Sequence, residues 1–169
     1  MTSWQYYPRA SQCPPHLIDV IDVFKKHAVR ISSGRKRKHH SNAVLSVLAS
    51  DLKQLDYRVE TGKRRKDKVN VPVLFGRNGE VQKSFDADAY NRNESTVVEV
   101  EAARTVPGNQ YLKDLIQASL MESVKYCVIA VRNRSNTSKD FETVCRFMDT
   151  MYASSRLRLP LDGILVIGY

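Results

Sequence analysis

The run Tyr126-Cys127-Val128-Ile129-Ala130-Val131 leaves few choices of fold. With no polar residue at every second position, it cannot form a strand that keeps one face in water. It predicts a central strand covered on both faces. A second run of this kind, Ile164-Leu165-Val166-Ile167, closes the chain. Helical spacing surrounds both. Leu17, Val20, Ile21, Phe24 and Ala28 follow Pro14-Pro15, and Val44, Leu45, Leu48, Leu52 and Leu55 follow Ser41 and Asn42, either of which can cap. Leu112, Leu115, Ile116 and Leu120 follow Gly108-Asn109, and Phe141, Val144, Cys145, Met148 and Tyr152 follow the capping candidates Thr137 and Ser138. Buried strands among amphipathic helices predict a mixed α/β sheet with helices on both sides.

Between the second and third helices the pattern shortens to strands. Tyr57 to Glu60 and Val71 to Phe75 read as strands, the latter at an edge because it holds Pro72. A turn at Arg77-Asn78-Gly79-Glu80 leads to one alternating strand from Val81 to Tyr90. There Phe85, Ala87 and Ala89 take one side, and Ser84, Asp86, Asp88 and Tyr90 the other. Asn91 to Ser95 turns the chain into Thr96-Val97-Val98-Glu99-Val100-Glu101-Ala102. Glu99 and Glu101 share a face with Val97, so two like charges stand on an otherwise apolar strand. That is costly without a compensating cation.

The hairpin brings further carboxylates to the same place. A tight turn centred on Asn93-Glu94 pairs Arg92 with Ser95, which sets Asp88 opposite Glu99 and Asp86 opposite Glu101. Up to four carboxylates then share one patch. Hard oxygen ligands of this kind suit Mg²⁺ or Mn²⁺ better than zinc.

Charge is distributed unevenly. The net charge is +9, and residues 1–75 carry 15 Lys/Arg against 6 Asp/Glu, so the whole excess precedes the acidic strand. Its densest parts are Arg35-Lys36-Arg37-Lys38, followed by His39-His40, and Lys63-Arg64-Arg65-Lys66. Both runs predict contact with a polyanion, most simply the phosphates of nucleic acid. Neither is interleaved with aromatics as a single-strand stacking platform would be. No apolar run approaches the roughly 18 residues of a membrane span, so no membrane partner is expected. The first eight residues do not read as a signal peptide. Cys13, Cys127 and Cys145 are odd in number and lack metal spacing, which suits reduced thiols in a cytoplasmic protein, Cys127 as core.

The acidic hairpin, followed by a helix and an apolar strand, resembles the PD-(D/E)xK nuclease superfamily, the group that contains most type II restriction endonucleases. The resemblance covers about residues 41–131. The basic helical portion 1–40 and the C-terminal helix and strand 138–169 complete a single nuclease-like domain over 1–169. Asp88 matches the first acid of the motif, with Asp86 as the competing choice, and Glu99 matches the second. Glu101 falls where lysine is commonest, an E-x-E variant.

The resemblance implies a restriction-endonuclease-like fold and a metal-dependent endonuclease acting on DNA, most simply as a homodimer. It makes Asp88, Glu99 and Asp86 the ligands of Mg²⁺ or Mn²⁺ and Asp88, Glu99 and Glu101 the catalytic set. Lys113 and Arg104 become auxiliary cations. The alternative is a catalytically inactive nucleic-acid-binding module on the same fold. An acidic-patch interaction protein ranks last, because it makes little use of the positive charge.

Overall fold

The computed structural model describes residues 1–32, 39–102, 106–134 and 138–169. The chain begins with β1 (Ser3–Tyr7), followed by α1 (Pro15–Lys26), α2 (Ala28–Ile31) and α3 (Ser41–Gln54). Five strands come next: β2 (Arg58–Val59), β3 (Val69–Phe75), β4 (Val81–Ala87), β5 (Ala89–Asn91) and β6 (Thr96–Val100). The remainder is α4 (Gln110–Leu120), β7 (Tyr126–Val131), α5 (Asp140–Ser154) and β8 (Gly163–Gly168). Six strands form the main sheet in the order β1-β8-β7-β6-β5-β2, while β3 and β4 form a separate hairpin. β6, β7 and β8 are parallel, and β1, β5 and β2 join their neighbours antiparallel.

The two apolar runs are central strands, and alternation divides the sheet into two layers. Val98, Val100, Val128, Ala130, Leu165 and Ile167 pack beneath α1 and α3, against Leu17, Ile21, Phe24, Leu48 and Leu52. Val97, Cys127, Ile129, Val131, Ile164 and Val166 face α4 and α5, against Leu115, Ala118, Val144 and Met148. The sheet is mixed and carries helices on both sides, as the sequence predicts. No helix among the described residues is long and apolar enough to cross a membrane.

Several local expectations are corrected. α3 begins at Ser41 with His40 at its N-cap position, so neither Ser41 nor Asn42 caps it. Lys139 occupies the corresponding position of α5, and the Ser138 hydroxyl donates to the Asp140 carboxylate. Thr137 lies outside the described residues. On α4 the buried stripe is Tyr111, Asp114, Leu115 and Ala118, whereas Ile116 and Leu120 are exposed. Tyr111 packs edge-on against Phe147 of α5, which fixes this rotation.

β1 is the element that the sequence does not announce. It is an edge strand held by tyrosines. Tyr7 is fully buried and its hydroxyl donates to the Cys145 carbonyl at 2.9 Å. Tyr6 lies so close to Gly163 on β8 that a Cβ there would overlap its ring.

The main departure lies between residues 81 and 90. Alternation predicts one continuous strand, but the structure breaks it at Asp88. β4 pairs with β3, with Asp86 opposite Asn70, whereas β5 pairs with β6. Ala87 and Ala89, expected on one side, lie in opposite apolar layers. Asp86 therefore does not face Glu101. It is exposed, and its carboxylate accepts from the Asn70 side chain.

Candidate active site

The turn register holds where it matters most. Ala89 pairs with Val98, Tyr90 with Val97 and Asn91 with Thr96, which brings Asp88 beside Glu99. The Ser95 N–H donates to the Arg92 carbonyl at 3.3 Å and closes the turn. Asp88 is fixed from three directions. Its Oδ2 accepts from the Val100 N–H at 2.8 Å, its own N–H donates to the Glu99 carboxylate, and its carbonyl accepts from the Glu60 N–H at 2.8 Å. Glu99 extends from central strand β6 on the α4 side and is 8% exposed. Glu101 follows the strand end, where its N–H donates to the Ala130 carbonyl at 2.8 Å.

α4 adds a fourth carboxylate that sequence reasoning missed. Asp114 is 5% exposed, and its Oδ1 accepts from the Gln110 side chain at 3.0 Å. Its Oδ2 finds no donor among the described residues unless the neighbouring Glu101 carries a proton. The signal was a carboxylate in helical register with Tyr111, Leu115 and Ala118, immediately after Lys113. Glu60 and Lys68 were missed as well. The Lys68 Nζ donates to both Glu60 carboxylate oxygens at 2.8 Å, and both residues line the same cavity.

These residues surround an open cavity of about 580 Å³. Six carboxylates line it, from Glu60, Asp86, Asp88, Glu99, Glu101 and Asp114, against the ammonium groups of Lys63, Lys68 and Lys113. Burial first, and then the repulsion among neighbouring carboxylates, favours the protonated forms of Asp88, Glu99 and Glu101. Burial pushes Asp88 up to about 6, against the Val100 hydrogen bond and with Glu60 and Asp114 adding to the rise. Burial also lifts Glu99 well above the ordinary carboxylate range, helped by Asp88 and Asp114. Glu101 is pushed up to about 8 by burial and by Asp114, while burial raises Asp114 itself.

Removing an ion from water costs several kcal/mol even after relaxation. A typical hydrogen bond returns only about 1 kcal/mol. Among the described residues the cavity thus carries more carboxylates than cations, and its donor set is all hard oxygen. That chemistry fits a divalent cation such as Mg²⁺ or Mn²⁺. As they stand, no three His, Cys, Asp or Glu side chains among the described residues are arranged to hold a metal ion.

The remaining predicted residues are placed as follows. Lys113 is exposed on α4 at the cavity wall, and its charge favours the ionised forms of Glu101 and Asp114. Lys63, Arg64, Arg65 and Lys66 are exposed in the loop between β2 and β3, and Lys63 reaches the cavity. Tyr90 packs into the apolar layer under α4 and α5. Cys127 is wholly buried core. Arg35, Lys36, Arg37, Lys38 and Arg104 lie outside the described residues.

No protein family and no curated protein matches the sequence. Among solved structures, the chain is similar to the restriction endonuclease BglII in complex with a DNA 16-mer. The TM-score is 0.55 at 13% identity, over 99% of this chain and 75% of that one. With its mixed sheet and helices on both sides, the chain has a restriction-endonuclease-like fold.

Proposed function

We propose that this protein is a metal-dependent endonuclease that hydrolyses phosphodiester bonds in DNA. The observation that carries the reading is the cluster of Asp88, Glu99, Glu101 and Asp114, largely removed from water and outnumbering the cations among the described residues, at an open cavity on a restriction-endonuclease-like fold. Asp88 and Glu99 would hold Mg²⁺ or Mn²⁺, with Asp86 at the cavity mouth as an outer oxygen donor. When bound, the ion supplies Lewis acidity toward a phosphoryl oxygen and lowers the pKa of water.

The chain's own residues do the rest. Glu101, protonated at neutral pH without a cation, would ionise beside a bound one and accept the proton of the attacking water, and Asp114, oriented by Gln110, stands beside it as a second carboxylate. Lys68, steered by Glu60, and Lys113 at the wall present positive charge to the non-bridging oxygens as negative charge builds on them. Val100 and the Glu60 backbone hold Asp88 in place, so the first acid needs little reorganisation. Cutting both strands of a two-fold symmetric duplex is most simply done by a homodimer. Three free cysteines suit a reducing, cytoplasmic setting.

Incubating supercoiled plasmid with the protein and Mg²⁺ or Mn²⁺ tests the reading. Cleavage that vanishes in Glu99→Ala while DNA binding persists is the expected result. Undiminished cleavage by that variant would sink it. The second reading, a binding module without activity, draws on Glu101 at the position where lysine is commonest. DNA binding with no cleavage in either metal would favour that alternative.

A further inference from the structure

Beside the acidic cavity lies a second one of about 610 Å³, formed by the basic loop and the β3–β4 hairpin. Lys63, Arg65, Lys68 and Lys83 line it, with Asp86 as its one carboxylate. Asn70, Gln82 and Ser84 add neutral hydrogen-bonding groups. Lys63, Lys68, Ser84 and Asp86 line both cavities, so the two form one continuous trough. Lys68 is engaged by Glu60. Lys63, Arg65 and Lys83 have no carboxylate partner among the described residues.

Like charges gathered around one concavity repel, and the field they produce there attracts an anion. Point charges spaced along a trough suit a polymer of phosphates better than a single small ion. Lys83 sits on the opposite side of the hairpin turn from the basic loop in sequence, and only the pairing of β3 with β4 brings it to the same surface.

We infer that the DNA strand flanking the cut leaves the acidic cavity across the outer face of the β3–β4 hairpin. Its phosphates there rest on Lys63, Arg65 and Lys83. This rests on the reading of the acidic cavity as a phosphodiester site, and adds the side from which the substrate is held. Phosphate contacts of this kind carry affinity without base preference.

The test uses the full chain, a labelled 20-base-pair DNA duplex of arbitrary sequence, and binding by fluorescence anisotropy across a range of NaCl in metal-free buffer. Lys83→Ala and Arg65→Ala alter exposed side chains, and thermal melts check that each variant stays folded. Each should weaken binding several-fold on every duplex tried and reduce the slope of log K against log salt by about 1. The double variant should reduce it by about 2, and Lys53→Ala on α3 should leave it unchanged. If the parent binds and cleaves DNA but the slopes of the two variants match it, the trough assignment is overturned and the nuclease reading stands. A parent that binds no DNA at any salt overturns both.

Discussion

The two cavities share a wall yet are built on opposite principles. On one side, carboxylates stand on central strand β6 and buried helix face α4, where water is scarce and each charge is costly to maintain. On the other, cations stand on an exposed loop and hairpin, where water already solvates them at little cost. The acidic side holds its geometry but needs positive charge from outside to ionise. The basic side needs nothing to be charged, but its long side chains hold only loose geometry. Chemistry suits the first and affinity the second. Substitutions on the two sides should therefore separate rate from binding.

The largest separation is expected at Glu101. Glu101→Gln keeps the shape of the side chain but removes the proton acceptor, and should lower single-turnover cleavage by roughly 10²- to 10⁴-fold. Metal-free DNA affinity should move less than about twofold. An equal loss in both would dissolve the division between the cavities. Next is Lys68→Ala, which removes a cation from the shared wall and leaves Glu60 without its partner. The cleavage rate should fall on the order of tenfold, with partial recovery in Lys68→Arg. Recovery in neither rate nor affinity would assign Lys68 to structure alone.

The electrostatic deficit has a signature in stability. Glu101 holds its proton up to about 8 in the fold and to 4.5 at its ordinary value, and Asp88 to about 6 against 3.8. The native state thus binds these protons more tightly than the unfolded chain. The stability they supply is complete at acid pH below the ordinary values and is lost as pH rises toward about 8. Without metal, the melting temperature should fall by several degrees between pH 5 and pH 8, and Mn²⁺ should raise it more at pH 8 than at pH 5. A flat profile would mean that the cluster is already neutralised. The smallest effect belongs to Lys63, which borders both cavities. Lys63→Ala should raise the KM for duplex DNA a few-fold and leave kcat nearly unchanged, measured by steady-state cleavage at two salt concentrations.

The Asp88–Glu99 pairing was legible because strand parity and one tight turn fix it, and both are local. The break at Asp88 was not. Alternation from Val81 to Tyr90 reads the same whether the strand keeps one partner or changes to another, since periodicity records which face is buried but not against what. Asp114 was hidden for a related reason. α4 offers two overlapping stripes, and the more aliphatic one, with Ile116 and Leu120, lies outside. Packing of Tyr111 on Phe147 decides between them, and that is tertiary information. The two layers of the sheet, by contrast, follow directly from the apolar runs. β1 was missed because an edge strand held by Tyr6 and Tyr7 depends on Gly163 and Cys145, which are remote in sequence.

Asp88 is the one residue between the last of β4 and the first of β5. The hairpin and the first acid of the cluster therefore share a junction. The hairpin is no loose flap, for Val69, Val71 and Ala87 are buried in the layer under α4 and α5, and the Glu122 N–H donates to the Pro72 carbonyl. Where β4 ends and β5 begins, one residue thus closes two pairings and offers its carboxylate to the cavity.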